Sequence, residues 1–180
     1  GMSYYLKFEK EFPTVHQLAN ASEEKILKLW QGLGYYSRAR NLHATAQIVS
    51  YDLKGKFPKN YENIIQLKGV GSYTAAAIAS FAFNKRHAVV DGNVYRVLSR
   101  IFGIKTPIDS TFGKKEFNEL ANLLIDSKKP GLYNQAIMEF GALQCKPHNP
   151  DCTACVMNDK CYARQKKMIS DLPVKSKKTK

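Results

Sequence analysis

Cysteine is missing from most of this 180-residue chain: all four thiols lie between residues 145 and 161, in CKPHNPDCTACVMNDKC. Disulfides normally staple distant parts of a secreted chain, so thiols confined to one loop argue against a disulfide framework. No apolar run approaches the roughly 20 residues needed to span a bilayer. No charged-then-apolar leader opens the chain, which predicts a soluble, intracellular protein. Acidic residues are few, with 15 Asp and Glu against 28 Lys and Arg, and the resulting charge of +13 favours polyanions such as nucleic acid. Part of that charge sits in Arg164, Lys166, Lys167, Lys175, Lys177, Lys178 and Lys180, a tail with few apolar partners that reads as a solvated linker. Strand-type alternation and any repeat period are absent too, which excludes β-rich and solenoid architectures.

What is present is helical periodicity, in a chain whose 44% hydrophobic content suffices for one good core or two small lobes. Ser22 is placed to cap a helix through EEKILKLW, with Ile26, Leu27 and Trp30 on one face. A second helix starts after Gly34 with Leu42, Ala46 and Val49 inward, and YENIIQL and YTAAAIASFAF predict two more on either side of KGVG. Asp91 stands at the mouth of a helix that turns Val94, Val97, Leu98 and Ile101 inward; two further helices, about 111 to 127 and 132 to 144, lead to the cysteines. Cys145, Cys152, Cys155 and Cys161 have the spacing C-x6-C-x2-C-x5-C, which suits a metal centre that keeps thiolates deprotonated. Tetrahedral zinc and an iron–sulfur cube both accept four thiolates, and on general grounds zinc stands slightly ahead.

In LKGVGSY two glycines bracket Val70 between helices. Gly69 and Gly71 are expected at positive φ, with Val70 plugging the core beneath. Such a turn exposes N–H groups at a helix N-terminus, where a phosphate can dock; in isolation it reads more simply as an ordinary helix–helix corner. Taken whole, LKGVGSYTAAAIASFAFNKRHAVVDGNVYRVLSRIFGI resembles the helix–hairpin–helix, Gly/Pro-rich, aspartate motif of the DNA base-excision glycosylases. The cysteine spacing is similar to the iron–sulfur loop of the endonuclease III and MutY branch, and LWQGLGYYSRARNLH and NQAIMEFGALQC resemble the MutY adenine glycosylases.

That resemblance implies an all-α fold: a six-helix-barrel-type helix–hairpin–helix lobe at 1–107, an iron–sulfur cluster lobe at 108–164 and a basic linker at 165–180. Its four cysteines would ligate a 4Fe–4S cluster, with Lys146 and Lys160 presented to the DNA backbone. A monomer is implied, acting in the bacterial cytoplasm on double-stranded DNA that contains adenine opposite oxidised guanine. Asp91 matches the family aspartate, which stabilises the positive sugar formed as an N-glycosidic bond breaks, and Asp91 is also a good helix cap. Asn93 matches the asparagine that fixes sugar and carboxylate. Tyr73 stands where bifunctional relatives carry a lysine, which implies a monofunctional enzyme with the tyrosine near the aspartate. Lys68, Gly69, Val70, Gly71 and Ser72 form the DNA-binding hairpin, with Lys68 replacing the usual proline. Tyr36 is expected as the wedge that fills the gap left by a flipped base. The family also has an upstream helix with a catalytic glutamate and a further domain downstream. Neither is found in these 180 residues, so weak or no excision is expected of the chain alone, which leaves a noncatalytic DNA-binding core or an endonuclease III-like glycosylase as alternatives.

Overall fold

The computed structural model describes residues 1–176; Lys177, Lys178 and Lys180 of the basic tail lie outside the described residues. Every regular element among the described residues is helical. Contacts divide the chain into two compact units, Gly1–Ser72 and Tyr73–Lys180.

In the first unit, α2 (Val15–Asn20) and α3 (Glu23–Trp30) pack on α4 (Ser37–Gln47), which continues into a π-helical turn at Ile48–Asp52, and α1 (Met2–Glu11) packs on α3. Local chemistry sets these ends. Thr14 and Gln17 form a reciprocal capping box on α2, and the Ser22 hydroxyl accepts from the Lys25 N–H to open α3. Ile26, Ala39, Ala46 and Val49 are buried. Leu42, expected inward with them, is 39% exposed, because Ala39, His43 and Ala46 supply the buried stripe of α4 instead. His43 is accommodated there by a hydrogen bond between its Nε2 and the Ala19 carbonyl, at 3.2 Å. The short α5 (Tyr61–Ile64), capped by Asn60, leads to the hairpin.

The second unit takes up α6 (Ser72–Phe83) from its second residue and is organised on α7 (Gly92–Phe102), against which α8 (Thr111–Leu124), α9 (Pro130–Glu139) and α10 (Tyr162–Gln165) pack. Val94, Val97 and Leu98 are each 1% exposed, and Leu98 and Val94 share a core with Phe117, Ala121 and Ile125. A π-helical turn, Phe140–Gln144, carries the chain from α9 into the cysteine loop. Beyond Gln165 the basic segment, expected as a solvated linker, is packed as far as it is described. Leu172 is 1% exposed beside Cys161 and Ala163, the Val174 carbonyl accepts from the Ile108 N–H at 3.0 Å, and Ser176 is bound by Asp109. The apolar residues Met168, Ile169, Leu172 and Val174, spaced among the lysines, are what anchor it.

Candidate functional site

The second unit places Asp91 as the N-cap of α7. Its Oδ1 accepts from the N–H groups of Asn93 and Val94, both at 2.8 Å, while Oδ2 accepts from Asn93 Nδ2 at 3.1 Å. Cap and candidate catalytic group are thus the same carboxylate, oriented on both oxygens. The Asn93 amide is held in turn by Arg96, whose Nη2 donates to Asn93 Oδ1 at 2.8 Å and to the Gly141 carbonyl at 2.6 Å. Arg96 Nε donates to the Cys145 carbonyl at 2.7 Å. Asp91, Asn93 and the start of the cysteine loop are therefore joined by one guanidinium, 9% exposed. Burial lowers the Arg96 pKa, Arg100 adds to that, and Cys145 and Asp91 oppose it. The approach is close enough that a side chain at Gly141 would strike Asn93, a Cβ there falling 2.6 Å from the Asn93 Cβ.

One turn further, Arg100 is 2% exposed and grips the loop. It donates to the carbonyls of Lys146 at 2.7 Å, Pro147 at 3.0 Å and Leu172 at 3.0 Å, and its Nη1 lies 3.5 Å from Cys145 Sγ. Neither arginine was singled out in the sequence. The available signal was an i, i+4 pair of arginines, Arg96 and Arg100, on a helix whose remaining residues are largely apolar and buried.

Cys145, Cys152, Cys155 and Cys161 line one small, largely apolar cavity with Ile101, Phe140 and Met157. Burial pushes the Cys152 thiol up, Cys161, Cys145 and Cys155 push it the same way, and Arg164 opposes them. Four thiols gathered on one apolar cavity are of the chemical type that a thiolate-bound cationic centre uses. Among the described residues, no group of three or more His, Cys, Asp or Glu stands close enough to hold a single metal ion. Lys146 and Lys160 are both exposed on this loop.

The hairpin residues lie in the first unit. Gly69 has φ +74°, and a side chain there would run into Asn41. Gly71, also expected at positive φ, does not have it, and a Cβ there meets nothing within 4 Å. Its lack of a side chain leaves open space outside the turn rather than relieving backbone strain. Val70, expected as the plug, is half-buried; Ile64 and Leu67 fill that role at 0% and 5% exposure. The reason is geometric. The Val70 N–H closes a turn onto the Leu67 carbonyl at 3.1 Å, and Thr45 donates to the Lys68 carbonyl at 3.0 Å, so residues 68 to 70 form the rim. Lys68, Gly69, Gly71 and Ser72 are exposed. Tyr36 caps α4 in a helical conformation and is 40% exposed, whereas Tyr35 has φ +47° and is 82% exposed. Tyr73, in the first turn of α6, is 45% exposed.

These features coincide with a known family: residues 2–122 match the HhH-GPD superfamily of base excision DNA repair proteins, and the chain belongs to it. It is 45% identical over 166 residues to the adenine DNA glycosylase of Homo sapiens, covering 92% of this chain and 30% of that protein. It is 40% identical over 185 residues to the adenine DNA glycosylase of Buchnera aphidicola subsp. Acyrthosiphon pisum, covering 99% of this chain and 51% of the relative. The chain thus spans between about a third and a half of these relatives. A solved structure of a thermostable thymine-DNA glycosylase superposes with a TM-score of 0.83 at 33% identity, covering 91% of this chain and 76% of the other. Among the described residues no helix is long and apolar enough to cross a membrane.

Proposed function

We propose that this protein serves DNA base-excision repair as a monofunctional glycosylase, hydrolysing the N-glycosidic bond of adenine opposite oxidised guanine in duplex DNA. The observation that carries the reading is the Asp91 carboxylate, held on both oxygens by N–H donors and backed through Asn93 by a buried arginine. The adenine DNA glycosylase relatives, at 40 to 45% identity, supply the base. As the bond between sugar and adenine lengthens, the electron pair leaves with the base and positive charge grows on the sugar. A preorganised carboxylate stabilises that charge without having to reorganise. Water then completes the abasic sugar. The proton for the departing adenine comes from a group other than Asp91, whose oxygens act as acceptors, and such general-acid help is worth about a hundredfold to ten-thousandfold. With Tyr73 in place of an amine, no Schiff base forms at that position and strand cleavage does not follow.

The rim at Lys68, Gly69, Val70, Gly71 and Ser72 takes a backbone phosphate on N–H groups other than that of Val70, which is held by the Leu67 carbonyl, a contact that positions DNA without reading sequence. The Tyr35–Tyr36 pair supplies the ring that restores stacking where a nucleotide is extruded, and exposure favours Tyr35 over the expected Tyr36. Cys145, Cys152, Cys155 and Cys161 would hold a 4Fe–4S cluster, whose contribution is to fold the loop and keep its thiolates ionised. Arg96 and Arg100 fasten that loop to α7, and Lys146 and Lys160 face phosphate.

The test uses duplexes carrying oxidised guanine opposite a cationic pyrrolidine sugar analogue or its neutral tetrahydrofuran counterpart. A carboxylate aimed at the sugar should prefer the cation by about 10- to 150-fold, the equivalent of one charge-assisted hydrogen bond. Asp91→Asn keeps a good helix cap and should abolish the preference. An equal affinity for both analogues, or a preference that survives Asp91→Asn, overturns the role of Asp91. Single-turnover release of adenine opposite oxidised guanine, compared with thymine opposite guanine, identifies the base. Thymine release would align the chain with the thymine-DNA glycosylase instead, and release of neither with a DNA-binding role.

A further inference from the structure

The loop between α3 and α4 is built outward from Trp30, the only tryptophan of the chain. The Trp30 indole Nε1–H donates to the Gly34 carbonyl at 3.0 Å and ties the loop to the end of α3. Arg38, in the first turn of α4, sets its guanidinium carbon 5.5 Å from the Trp30 ring centroid and 5.7 Å from that of Tyr35. Its Nη2 also donates to the Leu33 carbonyl at 3.4 Å. Tyr35, next along, sits in the left-handed region at φ +47°, which a tyrosine keeps only where its surroundings hold it. The result is a stack of tryptophan, guanidinium and tyrosine, whose outermost ring is 82% exposed.

A large ring held in an unfavourable backbone conformation, with a cation on one side and solvent around the rest, is prepared for a partner that the free protein lacks. Arg38 has no carboxylate partner among the described residues. Resting on the proposed reading of this loop as the source of the stacking ring, we propose that Arg38 is a positioning residue. It presents Tyr35 as a preformed platform for a base step beside an extruded nucleotide. Holding the ring in its bound orientation reduces the ordering cost on binding, so Arg38 acts through Tyr35 and not as a separate DNA ligand. The planar guanidinium is essential: lysine would keep the charge but lose the stacking on both rings. The simpler role for an exposed arginine is phosphate binding, and the two roles separate experimentally. A phosphate ligand contributes whether or not Tyr35 is present, and its loss flattens the salt dependence by about 0.9 in the log–log slope.

The experiment measures binding of the full chain to a duplex with a tetrahydrofuran abasic site opposite oxidised guanine, across a salt series. The proteins are the parent, Tyr35→Ala, Arg38→Met, Arg38→Lys and the Tyr35→Ala/Arg38→Met double variant. Tyr35→Ala should weaken binding about five- to 150-fold, the range for one stacked base. Arg38→Met should weaken it about two- to fivefold with an unchanged salt slope, Arg38→Lys should behave the same way, and neither change should matter once Tyr35 is gone. Emission from Trp30, the sole indole, reports whether the loop is intact in each variant. Arg38→Met losses that are equal in both backgrounds, with a flatter slope, would establish a phosphate ligand and overturn the proposal. So would an Arg38→Lys protein as tight as the parent. A Tyr35→Ala protein that binds like the parent removes the stacking-ring reading itself, while the role of Asp91 stands or falls separately on the pyrrolidine preference.

Discussion

Arg96 offers the sharpest test of how the second unit holds its carboxylate. Arg96→Met keeps a long, unbranched side chain but removes donors to the Gly141 carbonyl at 2.6 Å, the Cys145 carbonyl at 2.7 Å and Asn93 Oδ1 at 2.8 Å. A fourth bond, to the Gly92 carbonyl at 3.4 Å, is too long to count for much. Three acceptors left without a partner, at about 1–3 kcal/mol each, set a gross cost of roughly 3–9 kcal/mol. Removing a buried charge returns part of that, since desolvation already disfavours the guanidinium. A net loss of about 3–5 kcal/mol follows, as for other broken buried ionic networks. At about 2–4 °C per kcal/mol for a chain of this size, the melting temperature should fall by roughly 6–20 °C. The functional effect is distinct. With Oδ1 released, the Asn93 amide is free to turn, Nδ2 leaves Asp91 Oδ2, and the preference for the pyrrolidine analogue should drop below that of the parent even at temperatures where the variant is fully folded. Calorimetry and analogue binding on the same samples decide it. A melting temperature within about 2 °C of the parent and an unchanged preference would show that this guanidinium neither secures the loop nor positions the carboxylate.

The hairpin glycines should separate. Gly69→Val introduces a β-branched residue at φ +74° against Asn41 and should lower the melting temperature, whereas Gly71→Val has open space and should melt like the parent while binding all duplexes more weakly; equal behaviour of the two would refute the distinction. Protein purified without oxygen should contain four iron atoms per chain and absorb in the blue, and stoichiometric zinc without iron would reject the cluster assignment. The Ser176 N–H, and then its hydroxyl, hold Asp109 below the usual carboxylate range, so this docking of the C-terminal segment is fully present above the unfolded value of about 3.9 and is lost as pH falls through the lower folded one. The Ser176 amide resonance should therefore titrate with a midpoint below about 3.9, and a midpoint at or above that value counts against the link.

Residues that act through their neighbours in the chain are legible in the sequence. Ser22 and Asp91 cap helices because an oxygen placed before a helical run meets N–H groups two or three residues on, and the inward face of α7 follows from the spacing of Val94, Val97 and Leu98. The sequence alone also determined the all-helical class and the clustering of thiols. What it left undecided depends on contacts between segments far apart in the chain. Arg96 and Arg100 look like surface charges on a helix until the Phe140–Gln144 turn, the cysteine loop and Leu172 bring carbonyls 45 to 72 residues away onto them. Val70 reads as a core residue until Ile64 and Leu67 are found in its place, and the lysine-rich tail reads as a linker until Leu172 lies beside Ala163. Tyr35 and Tyr36 are chemically identical neighbours, and only the folded loop, tied by Trp30 and Arg38, turns one outward at φ +47° and makes the other a helix cap. Capping and periodicity are short-range and therefore written locally; the burial of a charge and the exposure of a ring are decided by whatever the rest of the chain brings beside them.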